Sequence, residues 1–274
     1  MDMNEANVIA NLLWDAQRQK LPCAPVREYF EGKSEVDQAL LAYAVQQVNV
    51  QRQVEGGRRI VGRKIGLTSP AVQKQLGVDR PDFGTLLDDM FFAEGGDIPL
   101  QRFILPRVEV ELAFVLNKPL RGEPGRPPLN IFDVLAATEY VVPAIEIIDA
   151  RIEQHDRHTG VMRKVFDTIS DNAANAGIIT GGRPVRPDAV DLRWCGALLY
   201  KNGVIEESGL AAAVLNHPAK GVAWLANKLA AYDVGLEAGQ IILGGSFTRP
   251  VAARPGDRFE ADYGPLGSLQ FQFV

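Results

Sequence analysis

The stretch PRVEVELAFVL, residues 106–116, decides how this chain folds. Side chains of an extended strand alternate between two faces. One face then carries Val108, Val110, Leu112, Phe114 and Leu116 and is wholly apolar. The other carries Arg107, Glu109, Glu111, Ala113 and Val115. The two glutamates point the same way, roughly 6–7 Å apart along the strand. Two explanations are open at this point. A half-exposed strand with a wet polar face accounts for the pattern. A cation held between the two acids is the other account.

A third acid belongs with them. The segment VVPAIEIID (141–149) is an apolar strand with Glu146 inside it. A carboxylate between two apolar faces is costly unless it is paired or binds a metal. Neither strand contains a histidine or cysteine, so a metal here would be held through oxygen alone. That suits Mg²⁺ or Mn²⁺ and not zinc. The competing explanation is a set of ion pairs with Arg107, Arg63 or Lys64.

Around these two strands the pattern is that of an α+β protein. Helices are expected over 4–19, with Val8, Leu12 and Leu13 inward, and over 35–54, with Val36, Leu40, Leu41, Ala44, Val45 and Val48 as one stripe. Ser34 with Asp37 resembles a helix cap, and Gly56-Gly57 is a stop. RRIVGRKIGL (58–67) reads as a strand that leaves Lys64 near its end. SPAVQKQLG (69–77) reads as a short helix closed by Gly77. Pro81 and Gly84 carry turn chemistry. Asn130 caps a helix over 130–140. Polar residues 150–164 form a loop. Strands follow at 175–182, 192–203 and 240–246, with an amphipathic helix at 217–232. DRFEADYGPLGSLQFQF (257–273) alternates, turns at Gly264-Pro265 and alternates again, which is a hairpin. Strands in runs with few helices between them point to a mixed or antiparallel sheet, not a doubly wound one. The expected division is a helical N-terminal region, 1–57, and a catalytic domain, 58–274.

Composition narrows the function. With 274 residues, the chain is long enough for a large core. A net charge of −5 without a basic block argues against nucleic acid. Cys23 and Cys195 lie far apart, outside any zinc or redox spacing, and read as buried free thiols. The N-terminus has no long apolar run, and no segment has the length of a membrane span. The expectation is a cytoplasmic protein without membrane contact. The Gly-Gly pairs at 56–57, 181–182 and 244–245 do not sit in a phosphate-loop pattern and read as turns or close backbone approaches.

Several other residues could carry chemistry. Lys64, between two glycines, is either an exposed structural lysine or an acid/base group facing the acids. Asp82, in RPDFGTL, is either a turn residue or part of the same site. Ser246 and Thr248, in GGSFTRP, could form an anion-binding lip or an ordinary turn. His217, before Pro218, reads as a helix start, and His155 and His158 as solvated loop residues. No serine or cysteine pairs with a histidine, so a nucleophilic triad is not expected.

Seven segments together resemble the 2-keto-4-pentenoate hydratase branch of the fumarylacetoacetate hydrolase superfamily. They are GRKIGLTS (62–69), PDFGTLLDDM (81–90), PRVEVELAFVL, PAIEIIDARI (143–152), DTISDNAANAG (167–177), NHPAKGVAWLANKLA (216–230) and GQIILGGSFTRPV (239–251). LDDMFF, VFDTISDNAANAG and ILGGSFTRP look most like the members that hydrate the seven-carbon diacid 2-oxo-hept-4-ene-1,7-dioate. The resemblance implies a mixed β-roll core with helices around it. It implies Mg²⁺, with Mn²⁺ as an alternative, held by Glu109, Glu111 and Glu146, and a catalytic pair at Lys64 and Asp82. It implies a homo-oligomer that associates with the decarboxylase of the same pathway. The rival readings are that related decarboxylase, a C–C hydrolase, a hydratase of 2-hydroxypenta-2,4-dienoate, and a catalytically silent diacid-binding partner. A seven-carbon diacid also needs a cation for its far carboxylate. Arg163 or Lys164, just after the polar loop, is expected to supply it.

Overall fold

Helix α1 (Met3–Gln19) packs on α2 (Glu35–Glu55), and the first strand, β1 (Ile60–Gly66), leaves directly from the end of α2. The structure is a computed structural model, and it describes residues 3–76, 78–123 and 125–274. The caps follow from the sequence. Ser34 accepts the N–H of Asp37, and Gly56 and Gly57 end α2, Gly57 with φ +93°.

The chain continues through α3 (Pro70–Leu76), β2 (Asp82–Leu87), β3 (Phe91–Phe92), β4 (Asp97–Ile98) and β5 (Arg107–Leu116). Then come α4 (Ile131–Ala137), β6 (Thr138–Ile148), α5 (Val165–Ser170), β7 (Asn175–Thr180), β8 (Gly196–Lys201) and β9 (Val204–Leu210). The last elements are α6 (Pro218–Ala230), β10 (Ile241–Leu243), β11 (Val251–Ala252), β12 (Arg258–Asp262) and β13 (Ser268–Phe273). The strands form a mixed sheet in the order β2-β1-β10-β5-β6-β7-β3, with β11 also paired to β5, and a second sheet in the order β4-β13-β12-β8-β9. This is the α+β class and the curled β-roll architecture.

Ladder register assigns every inward residue to one of two layers, because directly opposed residues share a face. Val108, Val110, Leu112, Phe114 and Leu116 are all buried, in one core with Ile145, Ile147, Ile242, the inner side of α6, and Phe259, Phe271 and Phe273 of the second sheet. The opposite face of the first sheet holds a smaller apolar cluster, Leu86, Ala113, Val142, Ala144, Ile178 and Leu243. Ala113 lies opposite Val142 and Leu243, and Ile178, at the edge of the cluster, lies opposite Glu146. One end of this face is therefore dry, and its other end carries the acids.

A third cluster joins the N-terminal helices to the rest, with Ile9, Leu13, Leu41 and Val45 packed on Ile152 and Ile169. Here the observed helix faces differ from the expected ones. In α1 the buried stripe is Ala6, Ile9, Ala10, Leu13 and Ala16, while Val8 and Leu12 are exposed. Leu13 is buried as expected, but the rest of the inward stripe is Ile9 with three alanines, whose small side chains let α2 approach. In α2, Val36 is 69% exposed and, with Leu40, borders a large cleft instead of the core.

Other boundaries also moved. Asp82 and Gly84 lie in strand β2, not in a turn. A Cβ on Gly84 would sit 2.5 Å from the carbonyl oxygen of Asn172, so close packing and not a bend requires the glycine. The helix expected over 130–140 ends at Ala137 and passes into β6, although Asn130 caps it as expected. Residues 165–170, after the polar loop, are helical. The expected strand at 192–203 is β8 preceded by a single 3-10 turn. The α3 helix is present, and Gly77, its expected stop, lies outside the described residues. Helix α6 and the β12–β13 hairpin are as expected, with His217 capping α6 through its side chain. Cys195 is buried and Cys23 partly so, both as free thiols.

Candidate active site

Four strands deliver the four acids and the lysine to one place. Glu109 lies opposite Glu146 across the β5–β6 ladder, and Glu111 is two residues further along β5 on the same face. Lys64 lies opposite Leu243, which lies opposite Ala113, so Lys64 shares that face. Asp82 is opposite Gly66, two residues beyond Lys64, and joins them. Carboxylate oxygens of Glu109, Glu111 and Glu146 lie within 4.8 Å of one another.

Except for Glu109, which is half-buried, these side chains are removed from water. Exposure is 4% for Lys64, 1% for Asp82 and Glu111, and nil for Glu146. Lys64 Nζ pairs with Glu146 Oε1 at 3.2 Å and donates to the Ala173 carbonyl at 2.9 Å. Glu111 Oε2 accepts the N–H of Gly245 at 2.9 Å. Tyr263 places its hydroxyl between the carbonyls of Glu111 and Ala144, at 2.9 and 2.6 Å, and so ties β5 to β6 directly behind the acids.

Charge is out of balance here. Burial, reinforced by Glu146, pushes Glu109 up to about 8, and the same two causes raise Glu111 well above the carboxylate range. Asp82 is raised as well, by burial that outweighs the pull of Lys64. Burial on its own would discharge Lys64, but Glu146, Asp82, Glu109 and Glu111 outweigh it and keep the ammonium charged. Four acids surround one lysine, and Glu146 Oε2 is buried with no hydrogen-bond partner among the described residues. The donor set is three carboxylates without sulfur or imidazole. Such a cluster could hold a hard divalent cation, which would relieve both the repulsion and the unpaired oxygen.

The acids open onto a cleft of about 1390 Å³ bordered by Lys64, Glu109, Glu111, Arg107, Arg163 and Lys164. Glu146 and Asp82 are not part of its wall. Ser246 and Thr248 border the cleft, but their hydroxyls serve the backbone: Ser246 Oγ donates toward the Thr248 carbonyl at 2.9 Å, and Thr248 Oγ1 accepts the N–H of Val110 at 3.2 Å. Arg163 Nη1 donates to the Ile152 carbonyl at 3.3 Å. Among the described residues, Arg107, Arg163 and Lys164 have no salt-bridge partner. His155 and His158 are exposed in the loop, and neither borders the cleft. Asn175 was absent from the expectations, yet its amide reaches Glu146.

The profile of the fumarylacetoacetate hydrolase C-terminal region matches residues 59–274. The chain belongs to the fumarylacetoacetate hydrolase family. Within this family, a 2-oxo-hept-4-ene-1,7-dioate hydratase from Escherichia coli is 65% identical over 233 residues, which cover 85% of this chain and 86% of the relative. A 2-keto-4-pentenoate hydratase from Paraburkholderia xenovorans (strain LB400) is 41% identical over 264 residues, covering 96% and 93%. Among solved structures, the 4-oxalocrotonate decarboxylase from Pseudomonas putida G7, complexed with magnesium and adipate, superposes with a TM-score of 0.89. Its identity is 34%, and the match covers 100% of this chain and 99% of that one. The fumarylpyruvate hydrolase from Pseudomonas aeruginosa, in complex with Mn²⁺ and pyruvate, shares the fold with a TM-score of 0.58 at 15% identity, covering 77% and 88%. No helix among the described residues is long and apolar enough to cross a membrane.

Proposed function

We propose that this chain is a Mg²⁺-dependent hydratase that adds water to 2-oxo-hept-4-ene-1,7-dioate to give 4-hydroxy-2-oxoheptane-1,7-dioate. The observation that carries this reading is the buried Glu109–Glu111–Glu146 cluster, with Lys64 beside it, opening onto a cleft rimmed by cations. The 65% identity to a hydratase of that substrate favours it over decarboxylation.

Glu109, Glu111 and Glu146 are the proposed metal ligands, with Mn²⁺ as an alternative ion. A bound divalent ion supplies Lewis acidity toward the carboxylate and keto oxygens of a 2-oxo acid. In the reaction a proton leaves C3 and one arrives at C5, which moves the double bond into conjugation. Water then adds its oxygen to C4 and a proton to C3. Lys64 is charged and fixed by Glu146 and Ala173, so it balances negative charge on the keto oxygen and donates protons. Among the described residues, Asp82 has no well-aligned donor on either oxygen, and it is free to accept a proton. A Cβ on Gly66 would lie 2.2 Å from Asp82 Oδ1 and 3.5 Å from Lys64 Nζ, so both groups border the same small space. Arg163 or Lys164 is assigned to the far carboxylate. Ser246 and Thr248 shape the lip of the cleft through their backbone bonds.

The proposal extends to a cytoplasmic homo-oligomer that associates with the pathway decarboxylase, and to a division at 57/58 between helical layer and catalytic unit. The test is turnover of the seven-carbon dienoate with and without EDTA, with products identified by mass. A product one water heavier, lost with EDTA, supports the reading. CO₂ release, cleaved acids, or no reaction overturns it.

A further inference from the structure

The two oxygens of Glu146 have different surroundings. Oε1 receives two donors, Lys64 Nζ at 3.2 Å and Asn175 Nδ2 at 2.8 Å, whereas Oε2 receives none among the described residues. Asn175 is 1% exposed and reaches this position through an irregularity in the ladder. Glu146 pairs with Ile178 and Ile147 with Gly177, but Ile148 pairs with Asn175, so Ala176 is an extra residue. In a regular ladder Ala176 would oppose Ile148, and Asn175 would point to the other face of the sheet. The bulge turns Asn175 onto the face that carries Glu146.

The residues just before it are also unusual. Asn172, Ala173 and Ala174 have φ values of +50°, +51° and +57°, a left-handed turn without glycine. Such residues are strained and persist only where their surroundings hold them. The Asn172 side chain provides the hold, accepting the N–H of Thr85 at 2.7 Å and donating to its carbonyl at 2.9 Å. The turn aims the Ala173 carbonyl at Lys64 Nζ. One short segment thus supports both members of the Lys64–Glu146 pair.

We propose that Asn175 is a positioning residue: with Lys64 it occupies Oε1 of Glu146 and so leaves Oε2 as the oxygen that faces a divalent ion. This rests on the metal reading given above. Groups that hydrogen-bond metal ligands commonly change metal affinity or activity about 10–100-fold when removed.

The experiment titrates metal-free protein with MgCl₂ by calorimetry, without substrate. Asn175→Ala, and Asn175→Leu, which refills the volume, should both raise the Kd for Mg²⁺ about 10–100-fold relative to wild type. A merely structural role would lower the melting temperature and leave the Kd of the folded protein unchanged, and that result overturns the proposal. A crystal structure of the Mg²⁺-loaded wild type is the second measurement and needs no variant. Oε2 on the ion supports the proposal, and Oε1 on the ion overturns it. Wild-type protein that takes up no divalent ion overturns the metal reading and this inference together. Uptake by wild type with equal uptake by both variants overturns this inference alone.

Discussion

Glu109 and Glu146 stand directly opposite one another across the β5–β6 ladder. Like charges in that relation are destabilising, and Glu111 adds a third within 4.8 Å. The metal-free protein therefore carries a repulsion that a divalent ion should remove. Ligand at about 100 times its Kd stabilises by about 2.7 kcal/mol. For a chain of this size that is a rise in melting temperature of roughly 5 °C or more. Differential scanning calorimetry in Mg²⁺ and in EDTA measures it, and coincident melts would remove the metal from this account.

Glu109→Gln keeps the shape of one proposed ligand and removes its charge. Turnover should fall about a hundredfold or more, and calorimetric Mg²⁺ affinity should weaken in parallel. Wild-type turnover and affinity in this variant would exclude Glu109 as a ligand.

Two glycines of β1 should respond differently to alanine. A Cβ on Gly62 would lie 1.9 Å from the backbone oxygen of Ile241, which cannot move without breaking the β1–β10 pairing. Gly62→Ala should cost about 3 kcal/mol of stability in urea unfolding. At Gly66 the obstacle is the Asp82 carboxylate, a side chain that can swing away. Gly66→Ala should cost about 1 kcal/mol and reduce kcat by about tenfold or more by displacing Asp82. Similar stability losses, or an unchanged kcat for Gly66→Ala, would contradict this assignment.

The far carboxylate gives a specificity test. Arg163→Ala or Lys164→Ala should raise KM for the seven-carbon diacid about tenfold. Both should leave the monoacid 2-hydroxypenta-2,4-dienoate nearly unaffected. Equal losses on the two substrates would mean that neither residue reads the far end.

Asp257 sets part of the acid limit. Burial opposes its charge, but Lys201, Asn202 and the N–H of Arg254 bind it at 2.9, 2.8 and 2.7 Å, and the net effect holds it below its ordinary 3.8. A carboxyl depressed in the folded state contributes stability above the unfolded value and loses it as pH falls through the folded one. Asp257→Asn should be less stable than wild type at pH 7, with the gap closing below about pH 4. Urea midpoints at both pH values check this, and a gap independent of pH would rule out the linkage.

Local structure was legible from short-range patterns. Alternation in β5, the caps at Ser34, Asn130 and His217, and the final hairpin are each written within a few consecutive residues. Glu146 stood out because an acid in an apolar strand needs a reason. What could not be read depended on register between distant segments. Asp82 looked like a turn residue because its neighbours Pro81 and Gly84 carry turn chemistry. The requirement for Gly84 comes from Asn172, 88 positions away. Asn175 reaches Glu146 only because Ala176 is an extra residue, and periodicity carries no sign of a bulge. In α1 both Leu12 and Leu13 fit a helical stripe, and only packing against α2 decides that the inward face is Ala6, Ile9, Ala10, Leu13 and Ala16.

Strand β5 places Phe114 and Leu112 in the main core and Glu109 and Glu111 in the acidic cluster, on alternate residues. A slip of one position would exchange the two sets and ruin both. Correct threading of this strand is thus proofread twice, once by oil and once by charge, and a molecule that has lost its chemistry this way will also have lost its fold.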